Sequence, residues 1–150
     1  MKIEEAIKQS AFASEYQKLG VNLLFTSGWI EAKHSALLKP FDLSIQQFNI
    51  LRILRGQKGN PLSLLEISDR MIDRMSNCSR LVDKLLAKGL AERKTCPQDR
   101  RQVEITITSN GLNLLTQVDS IMPQMHRDMA VLSEEEARTL NALLDKLRGY

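Results

Sequence analysis

Residues that bind metal ions or form disulfides are scarce in this chain of 150 residues. It contains two cysteines, Cys78 and Cys96, and two histidines, His34 and His126. Neither pair has the spacing of a zinc site, and two cysteines 18 positions apart are too few for a disulfide framework. We therefore expect no metal and no other cofactor, and a reducing compartment, the cytoplasm.

Long apolar runs are missing as well. Charged residues make up 26% of the chain and interrupt every apolar stretch before it reaches the roughly 18–20 residues that cross a bilayer. The opening sequence MKIEE has acids where a signal peptide has its apolar run. With 43% hydrophobic residues, 7 Gly and 4 Pro, the composition is that of a single globular domain, and we expect no contact with membranes.

The residue patterns of enzyme active sites are also absent. The sequence shows no nucleophile constellation, no acid–base pair and no glycine-rich phosphate loop. We therefore predict that the protein is not an enzyme.

Positive charge is concentrated in one segment of the chain. The net charge is only +3, but residues 74–101 contain eight basic and three acidic residues, so this segment alone carries +5. A basic stretch on an otherwise slightly acidic chain is typical of a surface that binds phosphate groups.

Hydrophobic periodicity predicts four helices in the first half of the chain. A helix over the first forty residues ends near Pro40, because the residue before a proline avoids the helical conformation. Capping boxes at residues 44–47 and 63–66 begin the next helix and a short one. A fourth helix begins at Asp73 or Arg74 and closes with Lys88-Gly89.

The second half of the sequence predicts a hairpin followed by two helices. Strands at residues 90–95 and 102–108 flank a polar turn. From Ser109 a helical stripe runs through Pro123, which we expect to kink it, and Ser133 begins the last helix. The predicted fold class is mainly α (α+β), a winged helix-turn-helix with a two-stranded β wing.

In a winged helix-turn-helix, a short helix precedes a second helix that lies in the major groove of DNA. Short polar side chains near the start of that helix let the backbone approach the bases while they offer donors and acceptors. Cations one and two turns further along can reach bases or phosphates. The candidate DNA-binding residues here are Arg74, Ser76, Asn77, Ser79, Arg80 and Lys84.

The tip of the hairpin is a second candidate contact with DNA. Arg100 and Arg101 can enter the minor groove, and Asp99 can orient one guanidinium through a charge-assisted hydrogen bond. Two alternatives stay open: the arginines can form an ordinary solvated turn, and the small polar residues before Arg80 can be helix caps.

Four blocks of sequence carry a resemblance to a known family. They are LSIQQFNIL at residues 43–51, RLVDKLLAKGLAER at 80–93, PQDRR at 97–101 and ITITSNG at 105–111. In this order and spacing they resemble the MarR family over about residues 43 to 115. The resemblance implies a bacterial, sequence-specific transcriptional regulator that binds double-stranded DNA at a pseudo-palindromic operator. It further implies a repressor that acts as a homodimer and is released by a small-molecule effector.

The resemblance also implies how the chain is divided. Residues 1–150 form a single MarR-like domain, with a winged-helix DNA-binding lobe at about 43–108. The helical dimerisation region comprises about 1–40 and 109–150. Residues 72–75, the sequence IDRM, depart from the family pattern at the helix-turn-helix corner and at the start of the recognition helix.

Three aromatic residues, Phe25, Trp29 and Phe48, are candidates for a ligand pocket between the lobes, although aromatics at helical spacing are usually core. Cys78 falls on an apolar stripe and is predicted to be buried, whereas Cys96 is predicted to be exposed, with a redox role left open. A winged helix that binds another protein instead of DNA is the alternative function. That class would lack the cations found here.

Overall fold

The chain folds into eight named helices and one hairpin within the described residues, as a computed structural model of the protein shows. The structure describes residues 1–95, 103–127 and 129–150. The elements are α1 (Ile3–Ala6), α2 (Glu15–Leu38), α3 (Ile45–Gly56), α4 (Leu64–Arg70), α5 (Cys78–Ala87), β1 (Ala91–Thr95), β2 (Val103–Ile107), α6 (Ser109–Asp119), α7 (Met122–Arg127) and α8 (Glu134–Leu147).

Three helices begin at capping boxes. The sequence predicts the first two as capping boxes and the third, at Ser133, as a helix start. Ser44, Ser63 and Ser133 each accept a hydrogen bond from the backbone N–H three residues later, and the Gln or Glu at that position returns a bond to the cap. Each box satisfies two backbone donors that a helix N-terminus leaves without partners. The starts of α3, α4 and α8 are therefore fixed locally.

The N-terminal and C-terminal regions are divided into more and shorter helices than the sequence predicts. The long first helix begins only at Glu15, capped by the Ser14 side chain, and the short α1 precedes it. The helix from Ser109 does not bend at Pro123, because it has already ended at Asp119. Pro123 lies instead in the first turn of α7, where a missing backbone N–H costs no helical hydrogen bond.

The strands form the predicted antiparallel hairpin. Ala91 pairs with Ile107 at the base, and the ladder continues to the pairing of positions 95 and 103. A single bridge adds the loop before α4 to this sheet, since Leu62 and Ile105 exchange backbone hydrogen bonds of 3.0 and 2.8 Å. The base of the hairpin is thereby joined to the loop that precedes α4.

The hydrophobic core lies between α3, α4, α5, α6 and the hairpin. Full burial of a valine, leucine or isoleucine side chain stabilises a fold by roughly 1.5–3 kcal/mol. The largest fully buried side chains are Leu38, Ile50, Leu51, Leu54, Ile67, Val82, Leu85, Ile105, Leu115 and Val118. In contrast, α8 buries no residue and α2 buries only its last one, so the terminal helices lie largely outside this core.

Cys78 belongs to the core, as predicted. It is 8% exposed, and its Sγ lies 3.8 Å from the carbonyl oxygen of Leu64. Burial raises the pKa of the Cys78 thiol, so the thiol stays protonated and packs as a small apolar group.

Neither a membrane span nor a metal cluster occurs in the described part of the chain. Its helices are too short or too polar to traverse a bilayer. Over the same ranges, no three His, Cys, Asp or Glu side chains come together as a metal site requires.

Gly111 provides a test of how tightly α6 packs on the hairpin. A Cβ at this position would lie 2.3 Å from the carbonyl oxygen of Leu90 and 2.7 Å from Cγ1 of Ile107. Because backbone cannot yield easily, we expect Gly111→Ala to lower the free energy of unfolding by about 1–3 kcal/mol. Urea denaturation at fixed protein concentration measures this change in the free energy of unfolding.

The matched control is Gly20→Ala in α2, where an added Cβ meets nothing within 4 Å. Alanine favours a helix over glycine by up to about 1 kcal/mol, so the control is expected to be neutral or stabilising. Equal effects of the two substitutions would contradict the close approach.

Candidate DNA-binding surface

Helix α5 separates an apolar face from a polar one. Its core face consists of buried residues at helical spacing, namely Cys78, Val82 and Leu85. The side chains on the opposite face are exposed, namely Ser79, Arg80, Asp83 and Lys84. Burial of the first face therefore directs the second face to solvent.

The start of this helix differs from the prediction. It begins at Cys78 and not at Asp73 or Arg74. Asn77 is the N-cap residue, and its Oδ1 accepts the backbone N–H of Arg80 at 3.1 Å. The side-chain oxygen of Asn77 is therefore a helix cap, which is the alternative that the sequence left open. It lies at the N-terminal end of α5, where the polar face begins.

A tight turn precedes the cap. The carboxylate of Asp73 accepts the backbone N–H of Met75 at 3.0 Å and the hydroxyl of Ser76 at 2.7 Å. The hydroxyl of Ser76 is therefore engaged in holding the turn. Met75 is 94% exposed here and was not among the candidates, although apolar side chains contact thymine methyl groups in the major groove.

Three candidate cations lie on the exposed side of this region. Arg74 precedes the helix, Arg80 lies in its first turn, and Lys84 lies one turn further. Over the described residues, none of the three forms an ion pair with an acidic side chain. Their charges are available to an anionic partner.

An ion pair ties the hairpin to α5. Nη2 of Arg93 in β1 lies 2.8 Å from Oδ1 of Asp83. Both side chains are more than a third exposed, so the pair contributes at most about 1 kcal/mol to stability. It does neutralise the one acid on the polar face of α5 and aligns the hairpin with it. The candidates at the tip, Asp99, Arg100 and Arg101, lie outside the described residues, as does Cys96.

The other end of α5 is tied to the junction between α2 and α3. The ammonium group of Lys88 donates to the backbone carbonyl of Asp42, lies 2.9 Å from Oδ2 of Asp42 and 3.5 Å from Oε1 of the buried Gln47. Asp42 has a left-handed backbone (φ 51°) directly after a 3-10 turn, where the chain passes from one helix to the next. The sequence gives no signal for this contact, because its partners are 46 residues apart.

The three aromatic candidates for a ligand pocket have different surroundings. Phe48 is 7% exposed and belongs to the core, with the guanidinium carbon of Arg52 5.7 Å from its ring centroid. Phe25 and Trp29 are 44% and 41% exposed on α2, and Nζ of Lys33 lies 4.5 Å from the Trp29 ring centroid. A pocket formed by the three stays a prediction.

A short helix, a following helix with an exposed polar face, and a hairpin tied to that helix define a winged helix-turn-helix protein. The model of the MarR family matches residues 43–103. Over 112 residues the chain is 28% identical to the multiple antibiotic resistance protein MarR of Escherichia coli K12, covering 73% of this chain and 76% of that protein.

Two solved structures extend the similarity over most of the chain. The MarR transcription factor from Planctomyces limnophilus is 32% identical with a TM-score of 0.70, covering 90% of this chain and 98% of that one. The S. aureus MepR–DNA complex is 28% identical with a TM-score of 0.76, covering 91% and 97%. The chain belongs to the MarR family and is a DNA-binding transcriptional regulator, not an enzyme. The predicted family and fold class are confirmed.

Lys84 of α5 and Lys88, the residue at its C-terminal cap, allow a direct test of DNA contact against positioning of the helix. Lys84 is exposed and unpaired among the described residues, so Lys84→Met is expected to remove one phosphate contact. The slope of log affinity against log salt should then fall by about 0.9. Lys88 is already bonded to Asp42, so Lys88→Met is expected to weaken binding through misplacement of α5 and to leave the slope unchanged. Fluorescence anisotropy with duplex DNA at several salt concentrations measures both.

A reduced slope for Lys88→Met would mean that Lys88 contacts DNA itself. An unchanged slope for Lys84→Met would remove Lys84 from the DNA-binding surface.

Proposed function

We propose that the protein is a repressor that binds a pseudo-palindromic operator as a homodimer in the bacterial cytoplasm. The observation that carries the proposal is the polar face of α5, which is exposed along its length and bears cations without acidic partners among the described residues. A face of this kind is complementary to the edges and phosphates of a DNA groove. MepR, a relative of similar fold, was solved in complex with DNA.

We assign separate roles to the residues at the end of α5. We assign Ser76, Asn77 and Ser79, which lie at the N-terminal end of the helix, to reading base edges with the donors and acceptors that the turn and the cap leave free. The longer side chains of Arg74, Arg80 and Lys84 reach bases or flanking phosphates. In the same proposal, Arg100 and Arg101 enter the minor groove, oriented by Asp99.

The dimer is proposed to form through the terminal helices, about residues 1–40 and 109–150, with the DNA-binding lobe at about 43–108. These helices carry large apolar side chains that are exposed in the single chain, namely Tyr16 (86% exposed), Leu24 (77%), Leu140 (45%), Leu143 (58%) and Leu147 (57%). Exposed apolar side chains in this number are typical of an interface between subunits. Two-fold symmetry would then place the two α5 helices in successive major grooves, about one helical turn apart.

Release by a small-molecule effector completes the proposal. An effector changes DNA affinity only if it binds the DNA-competent arrangement less well than another one. The junctions between α2 and the lobe are the places where such a difference can arise, because they set the position of α5 relative to the terminal helices.

Selection of bound sequences from random duplex DNA tests the function. We expect enrichment of an inverted repeat with half-sites about 10 base pairs apart. Arg80→Ala is expected to weaken binding to the selected site by about 1–3 kcal/mol, and Arg101→Ala is expected to lower the salt slope by about one phosphate contact. Recovery of no common motif, with equally weak binding to all sequences, would contradict sequence-specific regulation.

The proposed dimer interface is tested on α8. Leu143→Glu places a charge on the apolar face, and we expect the dimer to dissociate to monomers in sedimentation measurements, with loss of operator binding. Asn141→Glu is the control, since it adds the same charge to an exposed polar position of the same helix. A monomeric wild type, or a dimer that tolerates Leu143→Glu, would place the interface elsewhere.

A further inference from the structure

The exposed large apolar side chains of this structure fall into two groups. Most lie in the terminal helical regions, where the dimer interface is proposed. Within the described part of residues 43–108, the exposed ones are Leu65 (71%), Ile72 (82%) and Met75 (94%). All three lie in the segment that runs from α4 to the start of α5. A dimer that forms through the terminal helices does not explain their exposure.

These three side chains differ in their surroundings. A cavity lies between α2, α3 and the turn before α5, and its lining includes Glu31, His34, Ile72 and Asp73. Leu65 lies in the preceding helix, α4. Met75 does not line the cavity, and it lies two residues before Asn77, the cap of α5. Of the three, Met75 is therefore the nearest along the chain to the end of α5 that carries the candidate DNA-binding residues.

The backbone of Met75 is held in place by the turn before α5. Its N–H donates to Oδ1 of Asp73 at 3.0 Å. The next residue, Ser76, donates its backbone N–H to the carbonyl oxygen of Asp73 at 3.2 Å and its hydroxyl to the carboxylate at 2.7 Å. A thioether is only a weak hydrogen-bond acceptor and donates nothing. The Met75 side chain therefore offers an apolar contact from a fixed backbone position.

The charges around Met75 indicate which partner covers it. Arg74 directly precedes it in the chain, and Arg80 lies in the first turn of α5. Over the described residues, neither arginine forms an ion pair with an acidic side chain. Cations without acidic partners attract a polyanion. The partner that fits an apolar side chain in this cationic setting is the DNA that the family binds.

DNA presents one kind of apolar group on the base edges of the major groove. All base pairs offer hydrogen-bond donors and acceptors there, and thymine adds its 5-methyl group. A methionine side chain suits this group, because it is flexible and its sulfur is polarizable. An apolar side chain at this place distinguishes bases by the methyl group alone.

We propose that Met75 is a specificity-determining residue, whose side chain packs against the 5-methyl group of one thymine in each half of the operator. The inference rests on the proposed function and names one base that the protein reads. The donors and acceptors of Ser76, Asn77 and Ser79 read polar groups, whereas Met75 reads the methyl group. The operator therefore carries a thymine at one defined position of each half-site.

Replacement of thymine by uracil in the selected operator tests the proposal, because uracil lacks the 5-methyl group and keeps the same hydrogen-bonding groups. Each thymine is replaced in turn, in one half-site and then in both, and fluorescence anisotropy measures the affinity of the full-length protein. Burial of one methyl group changes affinity by about fourfold. At the position that Met75 contacts, the wild type should lose about fourfold for each half-site replaced, and Met75→Ala should lose nothing.

Matched variants separate methyl recognition from a structural effect. Met75→Leu keeps an apolar side chain and should retain the preference for thymine over uracil. Ile72→Ala removes an exposed apolar side chain from the same turn and should leave that preference unchanged. Met75→Ala should keep the salt slope of the wild type, because no charge is lost. It should also keep the urea midpoint, because the Met75 side chain is almost fully exposed.

Three results would overturn the proposal while the proposed function stands: an operator without thymine in its half-sites, a wild type that is insensitive to uracil at every position, or equal losses in the wild type and Met75→Ala. Loss of the thymine preference in Ile72→Ala as well would assign it to the turn as a whole and not to Met75. Failure to select any operator would instead refute the proposed function, and this contact with it.

Discussion

Burial of one face of α5 is the constraint on which the rest of this structure depends. Val82 and Leu85 are completely buried, and they pack into the same core as Ile67 of α4 and Ile105 of β2. A helix held by that face has no freedom to rotate about its axis without exposing apolar surface, at a cost of roughly 1.5–3 kcal/mol for each large side chain. The polar face is therefore presented to solvent at a fixed angle.

Polar contacts then set where this face lies relative to the neighbouring elements. Asp83 is paired with Arg93 of the hairpin, and Lys88 is bonded to Asp42 at the junction between α2 and α3. Such exposed pairs add little to global stability. Their effect is directional, because each one joins α5 to a neighbouring element: the hairpin on one side and the junction between α2 and α3 on the other.

The turn before α5 is held differently from the helix itself. Asp73 holds the turn that precedes the helix, and it also lines the space beside Glu31 and His34. A turn held by one exposed carboxylate is easier to change than a helix held by the core, so the beginning of α5 is less firmly fixed than its middle.

Much of the fold followed from local sequence. The capping boxes at Ser44 and Ser63 and the alternation in residues 103–107 predicted elements close to those observed, because the signals act within one turn or one strand. The start of α5 was predicted too early, since Asn77, and not Asp73, is the residue whose side chain caps the helix. Two possible starts of one helix, four residues apart, cannot be ranked without knowing which apolar residues the core accepts.

By itself the sequence determined the order of elements, the basic segment and the family resemblance, because composition, periodicity and motif spacing are properties of the chain. Only the tertiary structure decided which side chains meet. The bonds between Lys88 and Asp42, and the cavity shared by Glu31, His34 and Asp73, join residues that are tens of positions apart. Such contacts arise from how helices pack on one core, and no local pattern records that packing.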